Sequence, residues 1–299
     1  MEGISRKQVL MADGLCILTA AIWGGGFIAS QMAIDAHMSA ALIMVLRFVI
    51  ATAVMALACL PKLKHLNLRV LKAGLLPGLC LFGAFFTQIL GQERTTVSHC
   101  AFLTATNVVM VPFLVWIGTR KRPALHTFLI TLLTLAGVSV LSIAPGSFSL
   151  SFNLGDGLSL FCALLFALHL TSVSDAAKKE DVMLVNLVQL AVAAAVSAVV
   201  FFLVDPHALS RMEPRLGIPA VLYLGLVSTC LCYFLQTLAQ KYTTPSQAGV
   251  LLSTEGLFGS LFSVALGMEA MSANMVLGGL MILASVLLLE YFSGRKNAD

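Results

Sequence analysis

Few ionisable or strongly polar side chains lie deep inside the long apolar stretches of this 299-residue chain, and those few could do chemistry. Glu255 lies ten residues into one such stretch and Asn107 eleven residues into another, at equivalent places in a repeat. A carboxylate held deep among apolar residues can bind an ammonium group, take up a proton, or lock helices together through hydrogen bonds. Groups so placed face a bundle interior or a wet cavity, because hydrocarbon does not solvate them. Arg47, eight residues into the second stretch, could attract a carboxylate, or serve as a structural or gating charge that snorkels toward a helix end. Trp23 stands beside Gly24-Gly25-Gly26 and Phe27, where glycines allow close helix approach and the indole can line a cavity or pack. The His169 and Thr171 region takes the corresponding place later in the chain, and a lone histidine there can bind a ligand or simply pack. Gln88, Gln236 and Tyr233 could gate the ends of a cavity or bond between helices. Pro112 removes one backbone donor and could kink its helix just beyond Asn107.

The elements that must position these residues are transmembrane helices. Hydrophobic residues make up 59% of the chain and charged residues 11%, with a mean hydropathy of +0.96, whereas a soluble domain has about 25% charged residues. Spanning a bilayer by helix takes about 20 apolar residues, because every backbone polar group must be satisfied within the segment. The chain accommodates ten spans, expected near 12–34, 39–60, 71–91, 96–117, 125–144, 155–176, 183–204, 217–239, 245–268 and 273–292. Breakers and charges mark their ends, as in Pro61, Lys62 and Lys64, in Arg120-Lys121-Arg122-Pro123, and in Ala144-Pro145-Gly146-Ser147. Continuous apolar runs of this length exclude a β-barrel, whose strands would alternate. Glu269 and Glu290 fall at helix ends and are expected at the interface.

Lysine and arginine distribution orients the bundle. With the N-terminus cytoplasmic, inside segments hold Arg6, Lys7, Lys62, Lys64, Arg69, Lys72, Arg120, Lys121, Arg122, Lys178, Lys179, Lys241, Arg295 and Lys296, and outside segments hold only Arg94, Arg211 and Arg215. Both termini are therefore expected in the cytoplasm, with the bacterial inner membrane as location. The net charge of +4 reflects this topology and points to no nucleic-acid partner.

Residues 86–108 repeat at 234–256, with Phe86/Phe234, Gln88/Gln236, Gln92/Gln240, Thr95/Thr243, Thr96/Thr244, Ser98/Ser246 and Thr106/Thr254 coinciding at a shift of 148. Asp13-Gly14-Leu15 and Asp156-Gly157-Leu158 open the first and sixth spans. The Pro145–Asn153 linker leaves five helices in each half, at 12–144 and 155–292. Five is odd, so the second half enters the membrane from the opposite face. Inverted repeats suit alternating access, since similar halves can exchange conformations. Thr243-Thr244-Pro245 reads as a helix cap followed by proline in the first turn, with Thr95, Thr96 and Ser98 serving the same end in the first half.

All seven cysteines fall in apolar spans and read as free buried thiols. Cys230-x-Cys232 has the wrong spacing for a helical metal site, and the three glycines lack the preceding strand and following Lys-Ser/Thr of a nucleotide loop. No HExxH or Gly-x-Ser-x-Gly is present, which argues against an intramembrane enzyme. Neither a cofactor nor a metal is expected, and no ATPase module is evident; a proton or substrate gradient is the implied energy source.

At Trp23-Gly24 with Phe27, Leu46-Arg47-Phe48, Ser98-His99-Cys100-Ala101-Phe102-Leu103 leading to Asn107 and Pro112, Ser246-Gln247-Ala248-Gly249 leading to Glu255, and Leu266-Gly267-Met268-Glu269, the chain resembles the drug/metabolite transporter superfamily in its ten-helix EamA-type form. Gly256 stands where that family often has proline, and Gly118-Thr119 replaces the first-half Gly-Glu. The resemblance implies a carrier of two inverted five-helix repeats, commonly an exporter of amino acids or other small metabolites. It also implies a cavity between helices 1, 3, 4, 6, 8 and 9, a layout that agrees with the substrate-binding set read independently from the residues, namely Trp23, Gln88, Asn107, His169, Tyr233, Gln236 and Glu255, the last at a glutamate frequent in that family. Uptake of a small organic solute is the alternative direction.

Overall fold

The computed structural model describes residues 5–95, 100, 103–142, 153–267 and 270–296. Among the described residues ten long helices run in chain order: α1 Arg6–Asp35, α2 Ala40–Cys59, α3 Leu68–Gln92, α4 Leu103–Thr119, α5 Leu125–Ser142, α6 Leu154–Lys179, α7 Val182–Val204, α8 Pro214–Gln240, α9 Pro245–Ala265 and α10 Ala273–Lys296. Eight are long and apolar enough to cross a membrane, and α4 and α5 are shorter apolar helices. The fold is all-helical, as composition requires. Thr96, Ser98, His99, Ala101, Phe102, most of the Pro145–Asn153 linker, Met268 and Glu269 lie outside the described residues.

Polar residues start these helices. Ser5 with Gln8, Asn153 with Asp156 and Thr244 with Gln247 form reciprocal capping boxes, and Pro245 occupies the first turn after Thr244. Asn67 and Asp181 each accept two amides at the starts of α3 and α7. Large apolar side chains such as Leu57, Ile117, Phe202 and Leu287 remain exposed on the outside, as befits a surface solvated by lipid.

Packing obeys the exchange of each helix for the one five places later. α3 lies along α6 and α7, while α8 lies along α1 and α2; α1 packs on α9 as α6 packs on α4. The pairs α2 with α7, α4 with α9 and α5 with α10 map onto themselves. Glycines repeat the relation atom by atom. A Cβ added to Gly78 would stand 2.7 Å from both the Gln189 carbonyl oxygen and the Val192 Cβ, and one added to Gly225 would stand 2.9 Å from the Ile50 Cβ and 3.3 Å from the Arg47 carbonyl oxygen. Arg47 and Gln189, like Ile50 and Val192, are 142 positions apart. Small residues bring both helix pairs to backbone contact.

One residue breaks this symmetry. Gly78 and Gly225 are 147 positions apart, yet the following repeat runs at 148, so α8 contains one extra residue. It is absorbed at Tyr223–Leu231, where hydrogen bonds reach back five residues instead of four. α3 stays α-helical over the equivalent stretch, with Pro77 inside it.

Candidate functional site

Two helices are interrupted at equivalent points. α4 turns at Thr106 and resumes at Asn107; α9 turns at Ser253 and Thr254 and resumes at Glu255. The Thr106 hydroxyl donates to the Leu103 carbonyl at 2.6 Å, and the Thr254 hydroxyl to the Leu251 carbonyl at 2.7 Å. Each threonine amide also bonds three residues back at 3.2 Å, so both breaks have one geometry. The ninth span, expected at 245–268, is one apolar span from Pro245 to Ala265 with a turn inside it at Ser253 and Thr254. Pro112 is not the shared cause, because Ser260 occupies its place in the second half and α9 breaks all the same; the interruption precedes Asn107 instead of following it. Threonine hydroxyls competing for backbone carbonyls are the common element.

The breaks face a cavity of about 370 Å³ between the halves. Trp23, Gln88, Asn107, His169, Tyr233, Gln236 and Glu255 all line it, and so does Arg47. Its walls extend from buried Leu170 and Gly249 to part-exposed Gln31, Ser263 and Met275 near the face where α5 ends and α6 begins, here termed the linker face. The opposite, terminal face is sealed. Gln236 donates to Gln240 at 3.2 Å, Gln240 donates to the Leu170 carbonyl at 2.8 Å, and Gln240, Ser174 and Thr243 are at most 1% exposed. On the linker side Gln92 donates to Gln31 at 3.1 Å and Gln31 to Asp35 at 2.9 Å.

Aromatic rings cross the cavity floor with the same twofold relation. Trp23 meets Tyr233 at 5.2 Å between centroids, Phe166 meets Phe85 at 5.2 Å, and Phe85 meets Tyr233 edge-on at 6.0 Å. Trp23 and Phe166 are 143 positions apart and Phe85 and Tyr233 are 148 apart, matching the shifts of their helices. Phe166, not the His169–Thr171 segment, is thus the counterpart of Trp23; His169 lies a turn away, its Nε2 donating to Gln189 at 2.9 Å. Sequence reasoning passed over Phe85 and Phe166. The shift from Asp13 to Asp156 applied to Trp23, and the shift of the main repeat applied to Tyr233, would have found both.

Arg47 is 1% exposed. Its Nε donates to the Thr229 hydroxyl at 3.0 Å, and its guanidinium carbon stands 3.9 Å from the Phe85 ring centroid. It does not snorkel. The ring face attracts the cation, and Arg47 is among the residues that line the cavity. Gln189, its repeat partner, is 0% exposed and donates to Asn186 at 2.8 Å and Thr237 at 3.1 Å. Glu255, half-buried, has no hydrogen bond or ion pair among the described residues.

The extra residue of α8 and the three glycines of α1 explain one another. The Cys232 amide bonds the Thr229 and Val227 carbonyls and passes over Ser228, whose carbonyl accepts the Trp23 indole N–H at 2.8 Å. Tyr223 donates to the Ile22 carbonyl at 2.6 Å. An added Cβ would stand 2.7 Å from the Gly259 nitrogen at Gly24, 2.7 Å from the Tyr223 hydroxyl at Gly25 and 3.2 Å from the Ser228 Oγ at Gly26. Each glycine therefore admits a different neighbour. The seven cysteines are free and buried, and no metal-ligand cluster occurs among the described residues.

Comparisons with known proteins agree with this architecture. A solved crystal structure superimposes with a TM-score of 0.79 over 94% of this chain and 98% of its own, at 18% identity, and so shares the fold. A protein of Archaeoglobus fulgidus named as an uncharacterized transporter is 31% identical over 293 residues, covering 97% of this chain and 88% of that protein. The model of the EamA-like transporter family matches twice, at residues 10–143 and 153–291. A multi-pass membrane protein whose halves each match that model is a transporter and not an enzyme: the chain belongs to the EamA-like transporter family.

Proposed function

We propose that this transporter exports small zwitterionic metabolites resembling amino acids, by alternating access. The observation that carries the reading is an unpaired cation and an unpaired anion in one cavity. Arg47 and Glu255 both line it and form no ion pair among the described residues. A buried charge is costly unless a partner neutralises it. A substrate bearing a carboxylate for Arg47 and an ammonium for Glu255 would neutralise both, with its apolar part on Trp23, Tyr233 and Phe85. Asn107 and Gln88 supply hydrogen bonds from the first half, and His169 and Gln236 from the second. The half-helix start at Asn107 adds amide dipoles suited to a negative group.

The proposed domains are the five-helix repeats 12–144 and 155–292. Charge distribution favours both termini in the cytoplasm of a bacterial cell, so the linker face would be external and the described conformation outward-open. A gradient of protons or substrate would drive the cycle.

Reconstitution into liposomes tests the reading with three labelled probes: leucine, its amide and the acid lacking its amine. Leucine should be moved fastest. Arg47→Gln should erase the advantage of leucine over its amide, and Glu255→Gln its advantage over the amine-free acid. Equal rates for all three probes, or unchanged selectivity in both variants, would sink the zwitterion assignment. Inward-only flux in vesicles of known orientation would replace export with uptake.

A further inference from the structure

Asp13 and Asp156 stand 143 positions apart at opposite ends of the bundle, are 5% and 4% exposed, and have different partners. Asp156 lies in the first turn of α6, where one oxygen accepts the Asn153 amide at 3.0 Å and the other the Thr95 hydroxyl at 2.7 Å. α1 begins at Arg6, more than a turn earlier in the repeat than α6 begins at Leu154, so Asp13 falls inside a helix whose amides are already bonded. Thr243, which repeats Thr95, donates instead to Gln247 at 3.3 Å. Neither oxygen of Asp13 has a hydrogen-bond partner among the described residues.

Two titratable groups act on this carboxyl or stand next to it. Glu290 of α10 acts on it electrostatically without a geometry that satisfies either oxygen, and Cys16 of α1, 0% exposed, lies one turn along. No lysine or arginine forms an ion pair with Asp13 among the described residues. An ionised carboxylate withdrawn from water, with no donor or cation and with a second carboxyl beside it, is strongly disfavoured relative to the neutral acid. The sealed terminal end holds this group away from water, on the side opposite the cavity mouth.

We propose that Asp13, with Glu290 as its neighbour, is a proton-binding site that links pH at the terminal face to opening of that face. While the end is sealed Asp13 holds a proton on its carboxyl. When the end opens, the O–H bond ionises to water and the carboxylate is solvated, so alkaline conditions favour the terminal-open state. The role in the cycle rests on the transporter reading, whereas the bound proton does not.

Two measurements on the full-length protein test the proposal. Wild-type protein in lipid nanodiscs, carrying aspartate isotopically labelled at the side-chain carboxyl carbon, should show the label-shifted infrared carbonyl stretch of a neutral acid at neutral pH; Asp13→Asn should lack it. Absence of that band in wild type overturns the site and requires no variant to fold. Leucine counterflow in liposomes should rise about tenfold per pH unit on the acid side of the transition, following the ionised fraction. This rise should vanish in Asp13→Asn, and a pH profile identical to wild type would overturn the linkage. Should wild type move none of the probes, the amino-acid reading fails while the infrared band still decides Asp13.

Discussion

The Trp23 indole nitrogen donates to the Ser228 carbonyl at 2.8 Å, a bond between the two halves that exists because the irregular turn of α8 leaves that carbonyl out of the Cys232 amide's hydrogen bonds. An extra residue in one repeat thus becomes an acceptor for the other. Trp23→Phe keeps the ring and removes the donor. It should lower stability by about 1–3 kcal/mol, the penalty for stranding a part-buried acceptor, measurable as a fall in thermal midpoint in nanodiscs. Unchanged melting would show that the carbonyl finds another donor.

Gly24 and Gly14 offer a matched pair on one helix. An alanine Cβ at Gly24 would collide with α9 backbone at 2.7 Å, whereas at Gly14 nothing lies within 4 Å. Gly24→Ala should destabilise by about 1–3 kcal/mol through forced separation of α1 and α9. Gly14→Ala should stabilise by up to about 1 kcal/mol, because glycine is a poor helix former. Thermal unfolding of both variants checks the opposite signs.

Arg47→Lys retains a charge but not the planar group stacked on Phe85 or the Nε bond to Thr229. Apparent affinity for leucine should weaken about tenfold, or about 1.4 kcal/mol. An unchanged half-saturation concentration together with a lower melting point would assign Arg47 to structure alone.

Asp181 caps α7 and pairs with Lys62 at 2.7 Å at the membrane edge. Partial burial raises its acid constant's pKa, but the Lys62 ammonium and the Leu184 and Met183 amides outweigh this and hold it below the ordinary carboxylate value. The stabilisation is therefore present at neutral pH and lost as pH falls through that lowered value. Both side chains are substantially exposed, 42% for Lys62 and 39% for Asp181, so the pair is worth only about 0.2–1 kcal/mol. The melting-point gap between wild type and Asp181→Asn should be small at neutral pH and close on acidification. A gap that widened in acid would reverse the sign.

Composition alone determined that this chain crosses a membrane, because continuous apolar runs can satisfy their backbone only as helices. Repetition of polar residues such as Gln88/Gln236 and Thr106/Thr254 made the duplication legible, since apolar composition would not reproduce them by chance. Asn107 and Glu255 were readable as one equivalent pair for the same reason. What they sit on was not: each follows a break made by a threonine hydroxyl choosing a backbone carbonyl over solvent, a choice that residue type permits and packing decides.

The tertiary structure alone decided the direction in which side chains face. A helix of nearly uniform hydropathy carries little periodicity, so nothing in the local sequence around Arg47 distinguishes a stripe toward lipid from one toward a cavity, and its cation rests on Phe85 rather than reaching for water. Asp13 and Asp156 make the point most directly. Their three-residue surroundings match, and their chemistry diverges because one lies in the first turn of a helix and the other past it, where no free amide remains to receive its charge.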